Sequence, residues 1–167
     1  MLSLQEMLVL MGIATADPSL PTKKPKVIGV DPVQVSCLAD NVYFEARSEN
    51  MASQMAVSLV VMNRVEDHRF PNTVCGVVKQ GLRYKNDKVV LGKCQFSWYC
   101  DGKPDKPKNK QAWLKAQQVA SIVLDGSMVD FTEGSTHYHA YYVYPSWRKT
   151  KTKVTRIDSH IFYRWEQ

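Results

Sequence analysis

Apolar residues recur at helical spacing in residues 31–47, the first strongly patterned segment of the chain. Asp31 can cap the N-terminus of such a helix and Pro32 suits its first turn, so the pattern predicts a helix from this point. The residues of its apolar face are Val35, Leu38, Val42 and Ala46. The next segment, residues 50–65, is apolar on nearly every side, which is typical of a helix surrounded by other elements. We therefore expect this second helix to form the core of the fold.

The rest of the chain is predicted to contain two further helices and then a tail of different character. Residues 68–80 indicate a proline turn and a short helix, and residues 109–126 indicate an amphipathic helix that ends at Gly126. From Ser135 onward, two stretches rich in Tyr, Trp, Val and Ile flank a basic stretch, residues 148–153. Aromatic and β-branched residues favour extended backbone, so the tail is predicted to form strands or extended loops.

The composition indicates one soluble globular domain. A chain of 167 residues has the length of a single domain, and 44% hydrophobic and 23% charged residues are ordinary values for globular proteins. No segment reaches the roughly 18 to 20 apolar residues of a membrane span, so we expect no stable membrane insertion. The net charge of +6 favours an anionic partner, and nucleic acid, a phospholipid surface and an acidic wall polymer all satisfy that requirement.

Residues 1–30 are expected to form an N-terminal segment and linker ahead of a folded domain at residues 31–167. A short apolar run is followed by an Ala-Thr-Ala triplet at residues 14–16, which resembles the cleavage site of an export signal. Glu6 stands where such a signal carries a basic residue, so a short amphipathic segment is the alternative. The proline- and lysine-rich residues that follow are typical of a linker.

Four cysteines, an even number, are compatible with two disulfides in an oxidising compartment. Cys94 with Cys100 would close a local loop, whereas Cys37 with Cys75 would tie the first helix to a later segment. Reduced thiols are the alternative. Zinc is disfavoured because the gap between Cys94 and Cys100 is wider than that of a typical pair of zinc ligands.

Glu45 occupies an unusual position in the first predicted helix. At about 100° per residue it lies on the border of the apolar face, near Leu38 and Val42, and not on the opposite side. Arg47, two positions on, points about 200° away and is not expected to pair with it. The plain structural interpretation of Glu45 is a buried salt-bridge or hydrogen-bond partner that holds the helix in place.

Several motifs occur in one order along the chain and resemble a known family. They extend from Cys37 to about Trp165 and read CLADNVYFEARSENMASQMAVSLVVMNRV, RFPNTVCGVVKQ, CQFSWYCDG and HIFY. The chain is similar to the SleB-type cell wall hydrolases, which include spore cortex-lytic enzymes and peptidoglycan-degrading proteins of bacteria and bacteriophages. The resemblance implies an α+β single domain, lysozyme- or transglycosylase-like, with a helical core and a small β region. It also implies that Glu45 is the catalytic acid and that residues 95–98 line the glycan groove.

The chemistry of glycan cleavage is consistent with this role for Glu45. The reaction needs an acid to protonate the departing oxygen, and apolar surroundings raise the pKa of a glutamic acid enough to keep its proton near neutral pH. No other carboxyl is equally well placed, since Glu49, Glu133 and Asp158 lie near a helix end or in loop-like sequence. We therefore expect a lytic transglycosylase that cleaves the MurNAc-GlcNAc bond, with Glu45 as general acid and then general base. Simple hydrolysis is the alternative.

Sugar rings bind on aromatic side chains, while amide and hydroxyl groups contact their rims. The residues that the sequence offers for substrate binding are Gln95, Phe96, Ser97, Trp98, His137, Tyr138, His139, Tyr141 and Tyr142, with Trp147 as a further aromatic candidate. Tyr and Trp at strand spacing also fill protein cores, so only a part of this set is expected to contact substrate.

Two functions from other classes are weighed against glycan cleavage. His137 and His139 would share one face of a strand and suit a zinc-dependent N-acetylmuramoyl-L-alanine amidase, but a third ligand is missing, so we expect no metal and no cofactor. The basic stretch near the C-terminus suits a noncatalytic wall- or nucleic-acid-binding module. The favoured partner is the peptidoglycan glycan strand and not nucleic acid. The expected protein is a monomer that acts in the periplasm or the extracellular wall, either host-encoded or as a phage endolysin.

Overall fold

The computed structural model describes residues 30–166 of the chain. Nearly all of the predicted N-terminal segment, with its export signal and linker, therefore lies outside the described residues. Within residues 30–166, every helix is too short or too polar to cross a membrane.

Within residues 30–166, four α-helices form at the four predicted places. They are α1 (Pro32–Ala46), α2 (Met51–Glu66), α3 (Val74–Val78) and α4 (Lys110–Leu124). Asp31 caps α1 as predicted, because its carboxylate accepts a hydrogen bond of 2.9 Å from the backbone N–H of Val33. Asn50 caps α2 in the same way, accepting from the backbone N–H of Ser53 at 2.9 Å.

In the part of the chain that the structure describes, five short strands form two antiparallel sheets. Their bounds are β1 (Gly81–Arg83), β2 (Val89–Cys94), β3 (His137–Ala140), β4 (Thr152–Ile157) and β5 (His160–Arg164). The first two pair as a hairpin, and the other three form a sheet in the order β3-β5-β4. The sheet confirms the strands predicted for the tail. The hairpin was not predicted, because its strands are short and mostly exposed and so show little hydrophobic alternation.

The core confirms the central place of α2. Its residues Ala56, Val57 and Val60 are fully buried, and they pack with Phe162 of β5 on the side of the sheet. Other residues of α2 belong to a second cluster with α1, α3 and α4. Because α2 lies between the helices and the sheet, polar residues of the helix, such as Ser58 and Arg64, are buried together with the apolar ones.

Of the three pairings that four cysteines allow, the structure contains Cys37–Cys75 with Cys94–Cys100, both as disulfides. Cys37–Cys75 joins α1 to α3, with 38 residues of sequence separation. Cys94–Cys100 joins the end of β2 to a short 3-10 helix, Ser97–Cys100. The second bridge thus closes the loop that carries Gln95, Phe96, Ser97 and Trp98, and fixes that loop beside α1.

Candidate active site

Glu45 lies in the last turn of α1 and lines a small pocket of about 140 Å³, which we call the acid pocket. The other residues that line it are Arg64, Gln95, Phe96, Ser97 and Tyr138. Three other elements therefore meet Glu45: helix α2, the disulfide-closed loop and strand β3.

The carboxyl of Glu45 is partly buried and held by one hydrogen bond. The Tyr138 hydroxyl donates to its Oε2 at 3.1 Å. Burial raises the pKa of Glu45 above its ordinary value, while the Tyr138 hydroxyl and the charge of Arg64 act in the opposite direction. A carboxyl in this setting retains its proton to a higher pH than a free glutamic acid does, as a general acid requires.

Tyr138 reaches Glu45 because of its register in the sheet. It pairs directly with Phe162 of β5, and residues opposite each other in antiparallel strands share one face. Phe162 is fully buried against α2, so Tyr138 also faces the helices. Burial and the neighbouring Glu45 raise the pKa of Tyr138 well above its ordinary value. Its hydroxyl therefore stays protonated and remains a hydrogen-bond donor.

Arg64 is a residue of this pocket that the sequence interpretation missed. Its side chain is buried between the rings of Phe70 and Phe96, each with its centroid 5.2 Å from the guanidinium carbon. Its Nε donates to the carbonyl of Thr136 at 2.7 Å, whereas its Nη1 has no hydrogen-bond partner within residues 30–166. Burial lowers the pKa of Arg64 to about 10, so the guanidinium is still charged at neutral pH. A lone arginine inside the apolar pattern of α2 was the signal in the sequence.

Among the described residues, Glu45 is the single carboxyl that lines the acid pocket. Glu49 accepts a hydrogen bond from the Ser159 hydroxyl, and Asp158 accepts one from the backbone N–H of Asn50. Glu133 is exposed in a turn with a φ of 51°. Burial also raises the pKa of Asp40, to about 6, but this residue does not line the pocket.

A wider groove of about 470 Å³ runs beside Phe44 and Trp98, and we call it the aromatic groove. These two rings stack with their centroids 4.7 Å apart and an interplanar angle of 20°. Trp98 is held by a hydrogen bond of 3.1 Å from its indole N–H to the side-chain oxygen of Asn41. Each ring is next in sequence to a residue of the acid pocket, Phe44 to Glu45 and Trp98 to Ser97.

Four of the nine predicted substrate-binding residues, and the further candidate Trp147, lie outside both the acid pocket and the aromatic groove. His137 and His139 alternate with Tyr138 along β3 and so point to the opposite face of the sheet. There His139 contacts the Tyr163 hydroxyl at 3.0 Å, and His137 lies 5.2 Å from the ring of Trp147. The other two, Tyr141 and Tyr142, are exposed after the end of β3.

The two histidines do not form part of a recognisable metal centre. In the described part of the chain, no three His, Cys, Asp or Glu side chains are grouped closely enough to hold a metal ion. Cys94 and Cys100, the cysteine pair weighed above for zinc, are joined in a disulfide. Burial, with the charges of Arg64 and Lys151, lowers the pKa of His137 to about 3, so this ring is neutral at neutral pH.

Comparison with known proteins gives matches in both sequence and structure. A family model described as Cell Wall Hydrolase matches residues 48–163, which begin just after Glu45. A spore cortex-lytic enzyme of Bacillus cereus is 42% identical over 135 residues, which cover 77% of this chain and 43% of that protein. A spore cortex-lytic enzyme of Bacillus subtilis is 40% identical over 131 residues, which cover 77% of this chain and 36% of that protein. The chain thus spans less than half the length of either relative.

A solved structure shares the fold. The catalytic domain of the germination-specific lytic transglycosylase SleB from Bacillus anthracis matches with a TM-score of 0.62 and 26% sequence identity. The match covers 82% of this chain and 98% of that domain. This likeness confirms the predicted α+β, transglycosylase-like fold.

Proposed function

The chain belongs to the cell wall hydrolase family, and from that premise we propose that it cleaves the MurNAc-GlcNAc bond of peptidoglycan as a lytic transglycosylase, with Glu45 as the catalytic residue. The likeness to a catalytic domain of a lytic transglycosylase supports this reaction. The names of the two Bacillus relatives, spore cortex-lytic enzymes, support a wall glycan as the substrate.

One observation carries the proposal. Glu45 presents a carboxyl with a raised pKa to a small pocket, and no second carboxyl among the described residues lines that pocket. Hydrolysis by either stereochemical route generally uses a pair of carboxylates, about 5 to 10 Å apart. A transglycosylase needs only one, because a hydroxyl of the substrate itself takes the place of water.

The proposed reaction has two proton transfers, and the carboxyl group of Glu45 takes part in both. First, Glu45 donates its proton to the glycosidic oxygen as the bond from that oxygen to C1 of the muramyl sugar breaks. The resulting carboxylate then removes the proton of the muramyl 6-hydroxyl, whose oxygen attacks C1 and forms a 1,6-anhydro ring. Glu45 ends protonated again, and no water is consumed.

The surroundings of Glu45 fit both halves of this cycle. Burial favours the protonated acid that the first step needs, whereas Tyr138 and Arg64 favour the carboxylate that exists between the steps. If burial acted alone, the acid would bind its proton too tightly to donate it efficiently. The hydrogen bond from Tyr138 also fixes the direction in which the carboxyl points.

Analysis of the products tests the proposed reaction. Purified sacculi are digested in water enriched in oxygen-18, and the soluble fragments are examined by mass spectrometry. We expect fragments that end in 1,6-anhydromuramyl groups and carry no heavy oxygen, because the nucleophile is the 6-hydroxyl. Reducing ends labelled with oxygen-18 would establish hydrolysis instead, and free stem peptides would establish an amidase.

Tyr138→Phe removes the hydroxyl that donates a hydrogen bond to Glu45 and keeps the aromatic ring packed on Phe162. We expect the maximal rate to fall about tenfold, since a hydrogen bond to a charged group contributes about 1.5 kcal/mol. The pKa of Glu45 should rise, because the bond that stabilises its carboxylate is lost. The alkaline limb of the pH–rate profile, where the acid loses its proton, should therefore move to higher pH.

Tyr84→Phe serves as the matched control for this profile, because Tyr84 is exposed and does not line the acid pocket. Its profile should coincide with that of the wild type. An alkaline limb of Tyr138→Phe that stays in place or moves to lower pH would contradict the role assigned to the hydroxyl.

The place of action follows from the substrate and is part of the proposal. The peptidoglycan wall lies outside the cytoplasmic membrane, in the periplasm or at the cell surface. Such compartments are oxidising and maintain disulfides, which agrees with the two bridges in this domain. The monomeric state and the absence of a nucleic-acid partner stay predictions.

A further inference from the structure

We propose that the aromatic groove binds the peptide stem of the substrate. A sugar ring stacks on Phe44 and Trp98, and the carboxylates of the stem are bound by Arg47, Lys106 and Lys108. This inference rests on the proposed function, because the stem is a substituent of the muramyl sugar that Glu45 is proposed to act upon. It extends that function by assigning a recognition site for the part of the substrate that carries charge.

The position of the groove suits a substituent next to the cleaved bond. Phe44 precedes Glu45 on α1, and Trp98 follows Ser97 on the disulfide-closed loop. Both rings are thus joined through the backbone to residues of the acid pocket, and a glycan strand that extends from Glu45 past α1 and the loop would reach them. With about 470 Å³, the groove falls in the range of ligand-binding pockets and has room for more than a single ring.

The basic wall of the groove is held in place by the fold. The wall is the segment 101–109, which follows the Cys94–Cys100 disulfide and contains two prolines. The Tyr43 hydroxyl accepts hydrogen bonds of 3.0 Å from the backbone N–H groups of both Lys108 and Asn109. These hydrogen bonds fix the end of the segment against α1. The backbone of Lys108 is therefore held in place where Lys106 and Lys108 line the groove.

The charges that line the groove favour an anion. Four cationic side chains line it, from Arg47, Lys103, Lys106 and Lys108, against the two carboxyls of Asp101 and Asp105. Lys103 pairs with Asp101 at 3.4 Å, so these two opposite charges offset each other in the net charge of the groove. Lys106 and Lys108 make no ion pair within residues 30–166, and burial with the nearby Asp101 raises the pKa of Asp105. Arg47 lies over the Tyr43 ring, with its guanidinium carbon 5.1 Å from the centroid.

The chemistry of the substrate supplies a matching anion. The sugar rings of the glycan are uncharged, whereas the stem on each muramyl group carries free carboxylates. A carboxylate can also come from the lactyl group of a muramyl sugar that has lost its stem. Because the stem and the lactyl group both supply a carboxylate, the test must distinguish between these two sources.

The test compares the wild type with Lys106→Gln/Lys108→Gln at low ionic strength on three substrates. These are intact sacculi, sacculi whose carboxyls have been amidated with methylamine, and glycan strands freed of stems by an amidase. The matched control is Lys149→Gln/Lys153→Gln, which removes the same charge from exposed lysines that do not line the groove. Initial rates of release of anhydromuramyl ends are measured for every combination.

We expect the groove variant to lose about 5- to 10-fold in rate on intact sacculi, the effect of two partly exposed ion pairs. On amidated sacculi and on stem-free strands its rate should lie within about twofold of the wild type. Equal losses on intact and amidated sacculi, or no loss on either, would overturn the inference. A loss that persists on stem-free strands would assign the groove to the lactyl carboxylate and likewise overturn it. A wild type that cleaves none of the three substrates would instead refute the proposed function.

Discussion

Glu45→Gln is expected to lower the rate of glycan cleavage by about 10²- to 10⁴-fold, the usual contribution of a general acid. The amide keeps the shape of the side chain and can still accept the hydrogen bond from Tyr138, so the fold of the acid pocket should be preserved. It cannot donate a proton to the glycosidic oxygen or remove one from the 6-hydroxyl. Both steps of the proposed cycle are lost together, which makes this the largest effect that we expect from a single substitution.

The measurement is the release of anhydromuramyl ends from purified sacculi by wild type and variant at equal concentration. Glu49→Gln is the matched control, since Glu49 lies just beyond α1 and accepts a hydrogen bond from the Ser159 hydroxyl that glutamine can retain. This control should keep most of its activity. If Glu45→Gln cleaved sacculi at a rate within tenfold of the wild type, with its melting temperature unchanged, Glu45 would not be the catalytic acid.

Removal of the Cys37–Cys75 disulfide is expected to reduce the free energy of unfolding by about 2 to 4 kcal/mol. The bridge spans 38 residues, so it strongly limits the conformations of the unfolded chain. A domain of this size has a total stability of about 5 to 15 kcal/mol, and the loss is a large part of it. Urea unfolding of Cys37→Ala/Cys75→Ala, read as the midpoint and the slope, provides the measurement.

The second bridge offers a control that separates stability from activity. Cys94–Cys100 has a sequence separation of only 6 residues, so its loss should cost about 2 kcal/mol or less. It closes the loop that carries Gln95, Phe96 and Ser97 to the acid pocket. Its removal should therefore lower the rate of glycan cleavage while the free energy of unfolding changes less than in Cys37→Ala/Cys75→Ala. The expectation fails if Cys94→Ala/Cys100→Ala unfolds at a lower urea concentration than Cys37→Ala/Cys75→Ala.

The helices and their caps were predictable because the signals for them are local. The apolar spacing of α1 and α2 is a property of residues three and four positions apart, and a cap such as Asp31 acts within its own first turn. The β1–β2 hairpin was missed for the converse reason. Its strands pack little apolar surface, so their pairing leaves no clear period in the sequence.

The acid pocket was predictable only in part. Glu45 was noticed from its place on the border of an apolar face, but its proposed catalytic role and the loop at residues 95–98 both came from family motifs. The expectation that Arg47 would not pair with Glu45 agrees with its position over the Tyr43 ring. The place of Arg64 in this pocket was missed, because an arginine in an apolar helix signals a buried charge without revealing what it faces.

The sequence by itself determined the four helices, the carboxyl on the border of α1 and the alternation of side chains along the tail. Alternation required His137 and His139 to face away from Tyr138, but it did not say which side would meet Glu45. That choice was made by the packing of Phe162 on α2, which turns Tyr138 toward a carboxyl 93 residues earlier in the chain. Periodicity is set by neighbouring residues, whereas the meeting of two distant side chains depends on which faces the core buries.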